Sequence, residues 1–127
     1  MSVELISAGP PARGPYAAAT LATGTRVLSI SGALSENENG DPVWGDDPEA
    51  QARQCLQNID TILRSVGASK TDVVRIGVFL TDMADRPGVQ RARIEYFGDH
   101  EPAATLVQIS SLVLPEFRVE IEATAIF

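Results

Sequence analysis

The sequence predicts an α+β fold, a single mixed β-sheet with two helices packed on one of its faces. Three observations carry that expectation. The closing stretch alternates Phe117, Val119, Ile121, Ala123, Ala125 and Phe127 with Arg118, Glu120, Glu122 and Thr124, the period of a strand with one buried face. Two other segments, after Asp47 and up to Phe97, repeat their apolar residues at helical spacing. Strand-like runs flank both, so the expected order is β-β-α-β-α-β-β. A sheet covered on one side only has a second face to hide, and the simplest solution is self-association of several copies.

The 127 residues form one expected domain, 1–127, large enough to bury a core without metal or disulfide staples. A formal net charge of −7, with ten scattered Lys and Arg, argues against a nucleic-acid partner, because such binding needs a concentrated basic patch. A lone cysteine, Cys55, excludes an intrachain disulfide, and with a lone histidine, His100, it leaves no zinc ligand set and no metal site expected. Met1-Ser2-Val3-Glu4 has no basic leader character and no long apolar run follows it, so we expect no membrane association and a reduced, cytoplasmic setting.

Taken in order, Val3–Ile6 reads as a short edge strand stopped by Gly9-Pro10-Pro11. Arg13-Gly14-Pro15-Tyr16 is a tight turn that aims Tyr16 in a fixed direction. Residues 17–22 and 26–31 around Thr23-Gly24-Thr25 read as a hairpin, with Gly24 supplying a positive φ. Ser31 and Gly32 close its second strand, where small residues admit another backbone or a ligand.

Residues 35–47 read as an exposed loop around Trp44. Asp47-Pro48 then supplies an N-cap and a first-turn proline, and Ala52, Cys55, Leu56, Ile59, Ile62, Leu63 and Val66 form the buried stripe of the first helix, which Gly67 caps. Cys55 on that stripe is a core residue rather than a nucleophile. Ser69–Asp72 has capping spacing, and Val73–Leu80 is rich in β-branched residues, as suits a central strand covered on both faces. A second helix over 88–97 turns Val89, Ala92, Tyr96 and Phe97 inward and ends at Gly98. His100 is expected in an exposed loop, Thr105–Ile109 is a strand, and Phe117–Phe127 is the last one.

No phosphate loop, dinucleotide signature, zinc helix or nucleophile elbow occurs. Dispersed fragments do occur, in this order: Gly14-Pro15-Tyr16, Ile30-Ser31-Gly32, Glu49–Gln54 with Asn58-Ile59, Asp72–Arg75, Leu80–Met83, Tyr96-Phe97, Pro102-Ala103 and Glu120–Ala123. Together they resemble the Rid family, also called the YjgF/YER057c/UK114 family, over nearly the whole chain. The resemblance implies a chorismate-mutase-like fold, a homotrimer whose sheets line a central barrel, and small-molecule clefts between subunits. It also implies hydrolysis of reactive enamines and imines to oxo acids and ammonia, with no metal or organic cofactor.

Carried over by position, Glu120 and Tyr16 are the implied catalytic pair, and Ser31, Gly32, Gln90, Ala104 and Leu106 are implied to line the ligand site. The sequence departs from the family at one point: Ala104 stands where the family has the arginine that grips the substrate carboxylate. A guanidinium grips a carboxylate through two charge-assisted bonds, and a methyl group makes neither. Arg13, just before Gly14, either reaches into the cleft as a substitute or lies in solvent. With Ala104 and Leu106 the cleft is expected to be less polar than the family norm and to take an altered substrate, one that is neutral, partly apolar or cationic. A non-catalytic small-molecule-binding trimer is the alternative reading, and an endoribonuclease is the weakest, given the acidic charge and the absence of a histidine pair.

Overall fold

The computed structural model describes residues 2–127. Six strands and two helices follow in the order β1 (Ser2–Ile6), β2 (Ala19–Thr23), β3 (Val27–Ala33), α1 (Pro48–Ser65), β4 (Val73–Leu80), α2 (Arg86–Phe97), β5 (Ala103–Gln108) and β6 (Val119–Ile126). The last four strands assemble as β3-β6-β4-β5, with β4 and β5 parallel and the other pairs antiparallel. The sheet is therefore mixed, as its sequence order requires: β4 and β5 are joined by the α2 crossover.

The hairpin expected around Gly24 does not form. β2 pairs with β1, Ser2 opposite Thr23, in a separate two-stranded ribbon, while β3 pairs with β6, Val27 opposite Ile126. The chain changes sheets at this turn. Gly24 is absent from the residues with positive φ and serves close approach instead, because a Cβ there would meet Ile126 Cγ2 and the Phe127 nitrogen, each at 2.9 Å. The single expected sheet is thus two, tied by the Thr20 hydroxyl donating to the Val74 carbonyl at 2.7 Å.

Both helices pack on the sheet face formed by Ile76, Val78 and Leu80 of β4 and Val119, Ile121, Ala123 and Ala125 of β6. α1 starts where the sequence placed it: the Asp47 carboxylate accepts from the Ala50 N–H at 3.1 Å, and Pro48 occupies the first turn. Gly67, at φ 80°, lets the Ala68 N–H return to the Leu63 carbonyl at 2.9 Å, closing the helix end. Leu56, Ile59 and Leu63 are fully buried, each contributing about 1.5–3 kcal/mol relative to exposure. Ile62 departs from the expected stripe and is 40% exposed. Cys55 is buried in this layer, its thiol pushed up to about 12 chiefly by burial, which makes it inert.

β4 is covered on one face only within the chain: Val73, Ile76, Val78 and Leu80 are fully buried, whereas Val74 and Phe79 are half-buried and Arg75 is exposed. His100 is half-buried rather than exposed, with its Nε2 2.8 Å from the Val73 carbonyl oxygen. α2 begins two residues earlier than expected, at Arg86, and its inward face carries Arg93 beside Val89 and Ala92.

Before β6, the Arg118 side chain donates from Nε and Nη2 to the two oxygens of the buried Asp85 carboxylate at 2.8 and 3.0 Å. This pair fixes the entry to the strand that delivers Glu120. Asp85→Asn is expected to cost about 1–3 kcal/mol, because one charge of a largely desolvated, two-bond pair is removed, and urea unfolding at pH 7 would measure the loss.

Candidate functional site between opposite edges of the sheet

A cavity of about 410 Å³ opens at the β5 edge of the sheet. Arg13 and Tyr16 come to it from the loop between β1 and β2, Ala104 and Leu106 from β5, and Arg86, Gln90 and Arg93 from α2. The loop is tight: the Tyr16 N–H donates to the Gly14 carbonyl at 2.9 Å, and the Tyr16 hydroxyl accepts from the Arg13 N–H at 3.0 Å. α2 holds it from behind. Arg86 Nη2 donates to the Arg13 carbonyl at 2.7 Å, and Arg93 Nη2 to the Pro15 carbonyl at 3.2 Å. Gln90, with its side-chain oxygen toward Arg86, accepts from Nε at 3.0 Å and from Nη2 at 3.1 Å. A Cβ at Gly14 would come within 2.9 Å of the end of the Gln90 side chain, so the missing side chain lets the loop sit against the helix with Gln90 in its present position.

Ser31, Gly32 and Glu120 lie elsewhere. Ser31 and Gly32 are exposed on β3, the opposite outer strand of the sheet, where the pairing with β6 is irregular between Ile30 and Ala33. The Glu120 carboxylate folds over Gly32, so closely that a Cβ there would be 2.6 Å from its carboxyl carbon. Burial is the first cause that pushes the Glu120 carboxyl above the ordinary glutamate range, and the Glu122 charge is the second. Glu122 lies similarly over Gly77 of β4.

One copy of the chain therefore brings five of the eight expected site residues together, Arg13, Tyr16, Gln90, Ala104 and Leu106, and holds Ser31, Gly32 and Glu120 apart from them. Arg13 does line the cavity, although it is exposed. Against the expectation of a less polar cleft suited to a neutral, partly apolar or cationic ligand, Arg13, Arg86 and Arg93 all line the part of it that one copy supplies, and no Asp or Glu does. The sequence reading missed Arg86 and Arg93. Arg93 had a legible signal, four residues after Val89 and next to Ala92, on the inward stripe of α2.

An α+β protein with a helix-covered mixed sheet and a glycine-backed carboxylate on its closing strand is the class that fold and site define. The family model described as endoribonuclease L-PSP matches residues 6–127. The chain is 39% identical over 116 residues to the 3-aminoacrylate deaminase RutC of Acinetobacter baylyi, covering 91% of this chain and 90% of the relative. It is 38% identical over 117 residues to a RutC family protein of Pyrococcus horikoshii, with 91% and 90% covered. Its fold matches the crystal structure of YyfB from Yersinia pestis, a Rid-family protein of unknown function, with TM-score 0.90, 31% identity and complete coverage of both chains. The chain belongs to the Rid (YjgF/YER057c/UK114) family.

Proposed function

We propose that this protein hydrolyses a small enamine or imine to a carbonyl compound and ammonia, as a homotrimer whose sites lie at the seams between copies. The observation that carries the reading is the partly desolvated Glu120 carboxylate beside Gly32, on the side of the sheet away from the cavity that holds Tyr16. Closing sheets into a barrel joins the β3 edge of one copy to the β5 edge of the next, and the two half-sites meet there. The likeness to a 3-aminoacrylate deaminase supports the chemistry.

In this reading the enamine is protonated at carbon to its imine, and water adds to the C=N carbon. Glu120 takes one proton of the attacking water and returns it to the nitrogen of the resulting carbinolamine. The carbinolamine hydroxyl gives up the second proton to that nitrogen through solvent as the C–N bond breaks and the C=O forms, so one water is consumed and one ammonia leaves. Tyr16, half-buried and held by the Arg13 N–H, orients the ligand. Ala104 in place of the family arginine altered the route by which the substrate is gripped. No metal or cofactor enters these steps. An endoribonuclease is disfavoured by the net charge of −7 and by the lone His100, whose ring is tied to the Val73 carbonyl.

The test is ammonia release from 3-aminoacrylate and other enamines generated in solution, alongside light scattering to give the assembly mass. Acceleration over the spontaneous rate by a trimer supports the proposal. A trimer that accelerates none of them returns the protein to the non-catalytic binding reading, and a monomer removes the composite site.

A further inference from the structure

We propose that Arg93 of α2 forms a binding site for a small planar carboxylate in the β5-edge cavity, supplying from the helix the guanidinium that Ala104 lacks. The inference rests on the deaminase reading only for the identity of that carboxylate as substrate. The anion site itself stands on geometry.

Arg93 is only 3% exposed, yet among the described residues it forms no ion pair with any carboxylate. One nitrogen, Nη2, donates to the Pro15 carbonyl, and its buried Nε meets no acceptor. An arginine keeps its charge in any protein environment, so a buried one without a counter-charge carries an uncompensated desolvation cost. Burial acts first against that charge here, Arg86 adds to the penalty, and Glu101 offsets part of it from outside the cavity lining. A bound anion would remove the deficit.

The rest of the wall agrees. The Arg86 guanidinium is committed, through Nε and Nη2, to Gln90 and the Arg13 carbonyl, so it contributes fixed positive charge more than free donors. Gln90, having turned its oxygen to Arg86, keeps its NH₂ as a donor. Tyr16, whose oxygen accepts from the Arg13 N–H, keeps its hydroxyl proton to donate. Donors and positive charge line the cavity with no acidic side chain to answer them, and about 410 Å³ admits only a small ligand. Ala104 lines the same cavity as Arg93 with no more than a methyl group. A carboxylate accepts from a guanidinium with a geometry that a neutral amide of the same shape cannot reproduce.

Calorimetric titration of the assembled protein with acrylate, and with acrylamide as its neutral isostere, tests this. Acrylate should bind about 30-fold or more tightly than acrylamide, the lower bound for truncating one partner of a buried charge pair, and Arg93→Met should erase the difference. Should Arg93→Met not fold, the arginine Nε–H spectrum of the native protein is the second measurement, in which one slowly exchanging signal should shift with acrylate and not with acrylamide. Equal binding of the two probes, undiminished acrylate binding by folded Arg93→Met, or an arginine spectrum indifferent to acrylate overturns the inference. Selective acrylate binding without ammonia release from any enamine keeps the anion site and sinks the deaminase reading. Ammonia release that ignores both Arg93→Met and added acrylate does the reverse.

Discussion

Glu120→Gln is expected to reduce enamine-dependent ammonia release by about 10²–10⁴-fold, the range for loss of a positioned acid–base group, while leaving acrylate binding intact. The amide has the same shape over Gly32 and cannot carry the proton. The pH dependence gives an independent reading of the same group. The base form of Glu120 is required, so activity should fall as pH drops through its pKa, and burial together with Glu122 puts that limb at higher pH than an ordinary glutamate would give. The stability consequence has the opposite sense. The folded state binds this proton more tightly than the unfolded chain, so stability falls as pH rises from below the ordinary glutamate pKa through the folded one. Glu120→Gln lacks that fall and should melt slightly higher than the native protein at pH 7, at the cost of turnover. A variant that keeps full activity, or one whose acid limb is unmoved, contradicts the assignment of Glu120 as the base.

The elements were legible in the sequence wherever local chemistry decides them. Asp47-Pro48 and Gly67 bound α1, Ser69 and Asp72 cap the turn before β4, with the Ser69 N–H donating to the Asp72 carboxylate at 2.9 Å, and the alternation of β6 became its two faces. What could not be read was which strand pairs with which. Residues 17–31 carry a hairpin-like pattern, but β3 gains more by burying Ile30 against β6 and the α1 layer than by folding back on the exposed β2 ribbon, and pairing is settled by that nonlocal burial. The site was legible by position and not by charge. The inward position of Arg93 could have been read from the helical stripe, whereas its bond to the Pro15 carbonyl and its place in the cavity wall depend on the tertiary fold. The separation of Glu120 from Tyr16 within one copy agrees with the expected cleft between subunits, and strand order, not sequence order, produces it by putting β3 and β5 at opposite edges.

The largest stability loss is expected at Gln51, a buried polar residue that the apolar stripe of α1 does not reveal. It is 1% exposed, and its amide joins three segments: Nε2 donates to the Gly45 carbonyl at 2.6 Å and the Glu116 carbonyl at 3.0 Å, while Oε1 accepts from the Arg118 N–H at 2.9 Å. Gln51→Ala removes all three bonds and leaves a cavity, for about 2–4 kcal/mol and a fall in Tm on the order of 10 °C. Gln51→Glu separates the hydrogen-bond effect from the volume effect. It fills the same space and still accepts from Arg118, but turns a carboxylate oxygen toward two carbonyls, which penalises ionisation. Its Tm should therefore approach the native value only below the ordinary glutamate range and drop steadily as pH rises, whereas the Gln51→Ala deficit stays nearly constant with pH. Because Arg118 is gripped by Gln51 through its main chain and by Asp85 through its side chain, two residues before Glu120, both variants should also lower turnover beyond their loss of folded protein. A Gln51→Ala protein as stable and active as the native one would show that this junction neither holds the loops together nor positions the strand that carries Glu120.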